Sequence, residues 1–167
     1  KRQPIKLAAM EAHFETEKGA SFLIGGIPDE KAETVKYGLK IPKLLSFLVD
    51  GNPNSEVKGL KDFPKEHWPP VAVTHFAFQI MIFFGTVMMG ISMLYLFALF
   101  FKKNWLEKHW LLKLFIIATP FGYIALEAGW TVTEVGRQPW AIQDLMPVGI
   151  AATQIATTNV MISFFIF

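Results

Sequence analysis

The sequence predicts an all-α membrane protein, a transmembrane helix bundle carrying an extracytoplasmic loop built on amphipathic helices. Three observations lead there. The chain is 52% hydrophobic and 14% aromatic over 167 residues, with a mean hydropathy of +0.35, against roughly 45–50% apolar content in an ordinary soluble domain. From Val71 to Phe101, 31 residues contain no Asp, Glu, Lys or Arg. The first seventy residues, by contrast, hold eleven Lys or Arg and ten Asp or Glu, the composition of a water-exposed segment.

The opening run KRQPIKLAAM lacks a long apolar core and a small-residue cleavage pattern, so it does not read as a signal peptide; the chain begins as if in mid-protein. Residues 1–70 form one region, punctuated by Gly25-Gly26, Pro28, Gly51, Pro53 and Pro64. Within it PIKLAAMEAHFETEK reads as a short amphipathic helix, and IPKLLSFLV as another with Leu44, Leu45, Phe47 and Leu48 on its apolar face. Residues 71–167 supply three spans. The first, 71–101, is about 46 Å long as a helix and exceeds the roughly 30 Å bilayer core. The second runs over 111–135, interrupted by Lys113, Glu127 and Glu134, and ends in the GRQPW turn at 136–140. The third, 147–167, is rich in Ala and Thr and stops as if cut off.

Orientation comes from the connector at 102–110, where Lys102, Lys103, Lys108 and the following Lys113 face a single acid, Glu107. Positive charge marks the cytoplasmic side. Residues 1–70 and 136–146 then lie on the outer face.

The net charge of +2 is too small and too scattered for a nucleic-acid partner. With no cysteine, any metal must be held by His, Met or carboxylate.

Glu127, Trp130, Glu134 and Arg137 follow at helical spacing and stack along one face. An ionisable group inside a membrane costs about 2.5–3.5 kcal/mol on insertion scales, which favours a buried site that binds metal or carries protons. In such a site Arg137 would neutralise an anion. The alternative is an interfacial pair of Glu134 with Arg137. Met81 sits between Ala77 and Gly85 at i−4 and i+4; the bare surface suits either a flat macrocycle ligated by the thioether or close helix packing. His75 and Gln79, at i,i+4, could form a polar seam. Lys6 and Glu11, five residues apart, are not stacked on one helical face, and composition alone reads them as solvated.

Three stretches then acquire a common meaning. GWTVTEVGRQPW resembles the signature of the large, haem-bearing subunit of cytochrome bd quinol oxidases: Gly-Trp, a Glu four residues after the Trp, then Gly-Arg-Gln-Pro-Trp. QPIKLAAMEAHFET is similar to the start of that family's quinol loop, and FQIM followed by Gly is similar to the segment carrying the methionine ligand of its low-spin haem. The resemblance covers the whole chain, as the compact quinol loop plus the subunit's last three transmembrane helices. It implies that Lys6 and Glu11 bind and deprotonate quinol, that Met81 is an axial ligand of low-spin haem b, and that Glu134 ligates a high-spin haem. Trp130 would bridge the haems for electrons, and Arg137 would meet propionates. The implied cofactors are low-spin haem b, high-spin haem b and haem d. Oxygen would be reduced to water and a proton gradient built without pumping, in a prokaryotic cell membrane. The implied partners are quinol, oxygen, lipid, the missing N-terminal half of the subunit, a second large membrane subunit and small single-helix subunits. Gln79 departs from the Arg that the family often carries two residues before the methionine. Two rival readings are a non-catalytic homologue that keeps the fold and a haem-free, transporter-like protein with a proton-relay carboxylate pair.

Overall fold

The computed structural model describes residues 3–151 and 156–166. Helix α1 (Pro4–Met10) opens on a proline in its first turn, where the missing N–H would have had no partner anyway. It closes in a Schellman motif: His13 N–H donates to the Ala8 carbonyl at 2.8 Å and Ala12 N–H to the Ala9 carbonyl at 3.2 Å. Ala12 takes the left-handed conformation at φ 47°, a place usually given to glycine. The helix expected over 4–18 therefore stops at Met10. Reversal at Ala12 drops that residue and Phe14 into a core with Ala8, Ala9, Leu23, Leu60 and Val71.

Three short antiparallel pairs build the rest of the loop, the first beginning inside the expected helix. β1 (Glu17–Lys18) pairs with β6 (Glu56–Val57), β2 (Phe22–Ile24) with β5 (Leu39–Ile41), and β3 (Ile27–Asp29) with β4 (Thr34–Lys36). Gly25 and Gly26 turn the chain between β2 and β3 with φ of 67° and 99°, a conformation costly to other residues. Helix α2 (Leu44–Asp50) buries Leu45 against Ala20 and Val57. Phe47 and Leu48 stay more than half exposed, so only part of the expected apolar face is used.

Two 3₁₀ turns, Leu60–Asp62 and Lys65–His67, lead to α3 (Val71–Phe101). After a 3₁₀ turn at Lys103–Trp105 come α4 (His109–Ala118) and α5 (Phe121–Val135), separated at Thr119-Pro120, where proline lacks a donor for the helical ladder. α3, at 31 residues and mean hydropathy 2.1, and the 27-residue run His109–Val135, at 1.6, are both long and apolar enough to cross a membrane. α3 packs chiefly against α5. Helices dominate, as the all-α expectation requires.

Beyond α5 lie β7 (Trp140–Ile142), β8 (Met146–Pro147), α6 (Val148–Ala151) and α7 (Thr157–Ile166). The third span expected over 147–167 includes residues 152–155 and 167, which lie outside the described residues. α7 is apolar but has only 10 residues.

Candidate functional site

Glu11 caps the C-terminal end of α1 and is 3% exposed. Its Oε2 accepts the Leu23 N–H at 3.4 Å. It lines a cavity of about 390 Å³ together with His13, Phe14, Leu23, Val35 and Lys40, large enough for a single aromatic ring system. Burial pushes the Glu11 carboxyl up to about 7, opposed by the Leu23 N–H. A group so poised takes and gives protons near neutral pH.

His13 in the same cavity was not singled out from the sequence. Read as one helix, 4–18 puts residues two apart on different faces; the reversal at Ala12 instead brings Glu11 and His13 to one cavity.

The loop is held to α3 by the seam of His75 and Gln79. His75 is fully buried, with Nδ1 2.8 Å from the Met10 carbonyl and Nε2 3.2 Å from that of Gly25. Gln79 Nε2 donates to the Leu23 carbonyl at 2.9 Å, while its Oε1 accepts the Gly25 N–H at 3.0 Å. An amide can do both; arginine, which only donates, cannot. Gln79 thus reaches Glu11 through a single residue, Leu23.

Lys6 is not among the residues that line the Glu11 cavity. Lys6 lies at the other end of α1, where burial and the Arg137 guanidinium lower its pKa and Glu134 raises it. There α1, α3 and α5 converge on Gly136, where a Cβ would stand 3.2 Å from Thr74 Cγ2 and 3.3 Å from Lys6 Cγ. Glu134 is ion-paired with Arg137, both side chains less than half exposed. Trp130 is 63% exposed on the outside of α5. Glu127 borders an open apolar groove with Phe76, Ala77, Ile80 and Tyr123.

Met81 is half-buried and packs beside Ala77, Phe78 and Val132. Its Sδ faces Gly129 so closely that a Cβ there would come within 3.0 Å. The donor chemistry suits haem: a thioether for a low-spin iron, a carboxylate for another, an arginine for propionates. Trp140 adds a buried Nε1 without a partner, a donor suited to an anionic group. His75, held between two carbonyls, is not available as an iron ligand. Among the described residues no cluster of three or more His, Asp or Glu forms a metal site.

Two apolar helices beneath a loop that buries a carboxylate define a helical membrane protein with an ionisable site at one end of its spans. The profile of "Cytochrome bd terminal oxidase subunit I" matches residues 1–167, and the chain belongs to that family. It is 37% identical over 170 residues to a putative cytochrome bd menaquinol oxidase subunit I of Bacillus subtilis (strain 168), covering 99% of this chain and 37% of that one. It is 26% identical to the cytochrome bd-II ubiquinol oxidase subunit 1 of Escherichia coli (strain K12), covering 96% of this chain and 44% of the relative. The solved bd oxidase of Geobacillus thermodenitrificans superposes with a TM-score of 0.85 at 38% identity, over 99% of this chain and 38% of that chain. The chain thus spans less than half the length of these relatives.

Proposed function

We propose that this chain supplies the quinol-oxidising loop and part of the haem-binding helices of a terminal quinol oxidase, a quinol:oxygen oxidoreductase of the prokaryotic cell membrane. The observation that carries the reading is Glu11, buried beside a ring-sized cavity with its carboxyl raised to about 7.

Quinol entering the cavity offers a hydroxyl to the Glu11 carboxylate, which the Leu23 N–H orients. Gln79 and His75 fix the loop backbone so that this geometry survives in a segment with few long elements. Lys6, near Arg137 and Glu134, contributes positive charge between the loop and the end of α5. Met81 would hold low-spin haem b and Glu134 a high-spin haem, b or d; Arg137 would meet propionates, and Trp130 would stand between haems. When bound, haem supplies one-electron acceptors and the iron at which oxygen is reduced to water. Protons released at the outer face and taken up from inside build a gradient without a pump. The remainder of the subunit, a second large subunit and small single-helix subunits complete the assembly.

The Glu134–Arg137 pair favours a second reading for those two residues, an ion pair at the membrane surface. Glu11→Gln in the assembled oxidase tests the main reading. Quinol oxidation should fall on the order of 10²-fold or more, the loss expected for a proton acceptor, with the haem spectrum unchanged. A normal rate would refute the quinol site.

A further inference from the structure

We propose that His13 is a second proton acceptor in the cavity that holds Glu11, so that the two protons of one quinol leave to two different side chains. This rests on the reading of that cavity as a quinol site. His13 lines the cavity, and its Nε2 is buried without a hydrogen-bond partner. Buried ring nitrogens are rarely left so, and an unsatisfied one marks a place for a ligand or water. In the neutral ring that carries its proton on Nδ1, the unpartnered Nε2 presents a lone pair to the cavity and can accept a proton. The Schellman closure sets the pair, because Glu11 and His13 flank the left-handed Ala12 and both border the same space.

Electrostatics suits the role. Burial lowers the His13 pKa, keeping the imidazole neutral and receptive; Glu17, the Val57 backbone and Glu15 raise it, while Lys40 lowers it. Glu11 and Glu33 line the same cavity, with Glu33 and Glu15 ion-paired to Lys61 and Glu33 also to Lys65. An imidazolium formed there faces a largely acidic wall, which favours its formation.

The reaction balances. One quinol O–H breaks to protonate the Glu11 carboxylate and the other to protonate His13 Nε2. The oxygens become carbonyls, and two electrons leave singly to ferric haem, the oxidant. One quinol yields one quinone, a neutral carboxyl and an imidazolium.

The test uses the assembled oxidase with His13→Gln, His13→Glu and Glu11→Gln, following quinol oxidation across pH beside oxygen consumption driven by an artificial donor that bypasses quinol. His13→Gln should lower the quinol rate on the order of 10²-fold and leave the artificial-donor rate unchanged. At the acid end of the pH profile the slope of log rate should fall from about two to about one, since one titrating acceptor remains. His13→Glu, which keeps an acceptor, should recover most of the rate and the steeper slope. Normal quinol turnover in His13→Gln beside an inactive Glu11→Gln overturns the role of His13 and leaves the quinol site standing. Equal impairment in His13→Gln and His13→Glu, or a matching loss with the artificial donor, makes the residue structural and also overturns it. Normal turnover in Glu11→Gln removes the quinol site and the proposal with it.

Discussion

At the scale of single residues, Glu11 is held where its charge is costly. Unfolded, its carboxyl ionises near 4.5; folded, near 7. Below about 4.5 both states keep the proton, and between the two values only the folded state does. Stability therefore falls as pH rises through this window and levels off above about 7, by up to about 3 kcal/mol. Glu11→Gln removes that dependence, so hydrogen exchange in the loop should be slower than in the unsubstituted protein above pH 7, with the gap closing below about pH 4.5. The same substitution should lower quinol turnover, separating the cost of the group from its use. Glu134 separates charge from shape. As a partly exposed ion pair with Arg137 it is worth about 0–1 kcal/mol, so Glu134→Gln should fold and insert. If it ligates iron, one high-spin haem is lost while the low-spin spectrum stays. Retention of every haem with normal oxygen consumption would establish the surface-pair reading instead.

At the scale of elements, the cavity depends on one close approach. Gly59 has an ordinary φ of −91°, but a Cβ there would come within 2.4 to 2.6 Å of the Phe14 and Glu15 backbone. Its N–H donates to Thr16 Oγ1 at 2.7 Å, and the next residue, Leu60, donates to the His13 carbonyl at 2.9 Å. No side-chain rotation relieves a clash with backbone, so Gly59→Ala should push the segment entering the Leu60–Asp62 turn from His13–Thr16 at a cost of about 1–3 kcal/mol. Limited proteolysis should show faster nicking of the loop and quinol oxidation should drop, with α3, α5 and the haem spectrum of the assembled oxidase intact. Nicking at the normal rate would show that the loop accommodates the methyl group. The Gly26 turn and the Gln79 seam belong to the same scale: each sets where Leu23 presents its N–H to Glu11.

At the scale of the whole molecule, the basic connector predicts sidedness. The chain contains no cysteine, so single substitutions make clean reporters in it. Lys31→Cys, in the exposed turn between β3 and β4, should react with a membrane-impermeant maleimide added to intact cells. Lys103→Cys, in the connector between the two candidate spans, should react only after permeabilisation. The reverse pattern would invert the protein and place quinol oxidation on the cytoplasmic side. The exposed apolar faces of α3 and α5, among them Phe83, Phe100, Tyr123 and Leu126, are surface that needs an apolar covering.

The amino-acid sequence by itself determined the helical class, the two long apolar helices and the charged run at the end of α5, because a span without charge and an i, i+3, i+4 pattern are local properties. It also held the family motifs. The tertiary structure decided the rest. The helix after Pro4 ends early because Ala12 gains more from burying itself and Phe14 in the loop core than a continued amphipathic turn would return, a competition that no local pattern records. That reversal created the Glu11–His13 cavity. Folding also brought Lys6 within electrostatic reach of Arg137 and Glu134, more than a hundred residues away. It gave Gln79 a role, between backbone groups of β2 and the turn that follows it, more than fifty residues away. Contacts of such long sequence separation are set by which surfaces can be buried together, and they exist only once the chain has closed on itself.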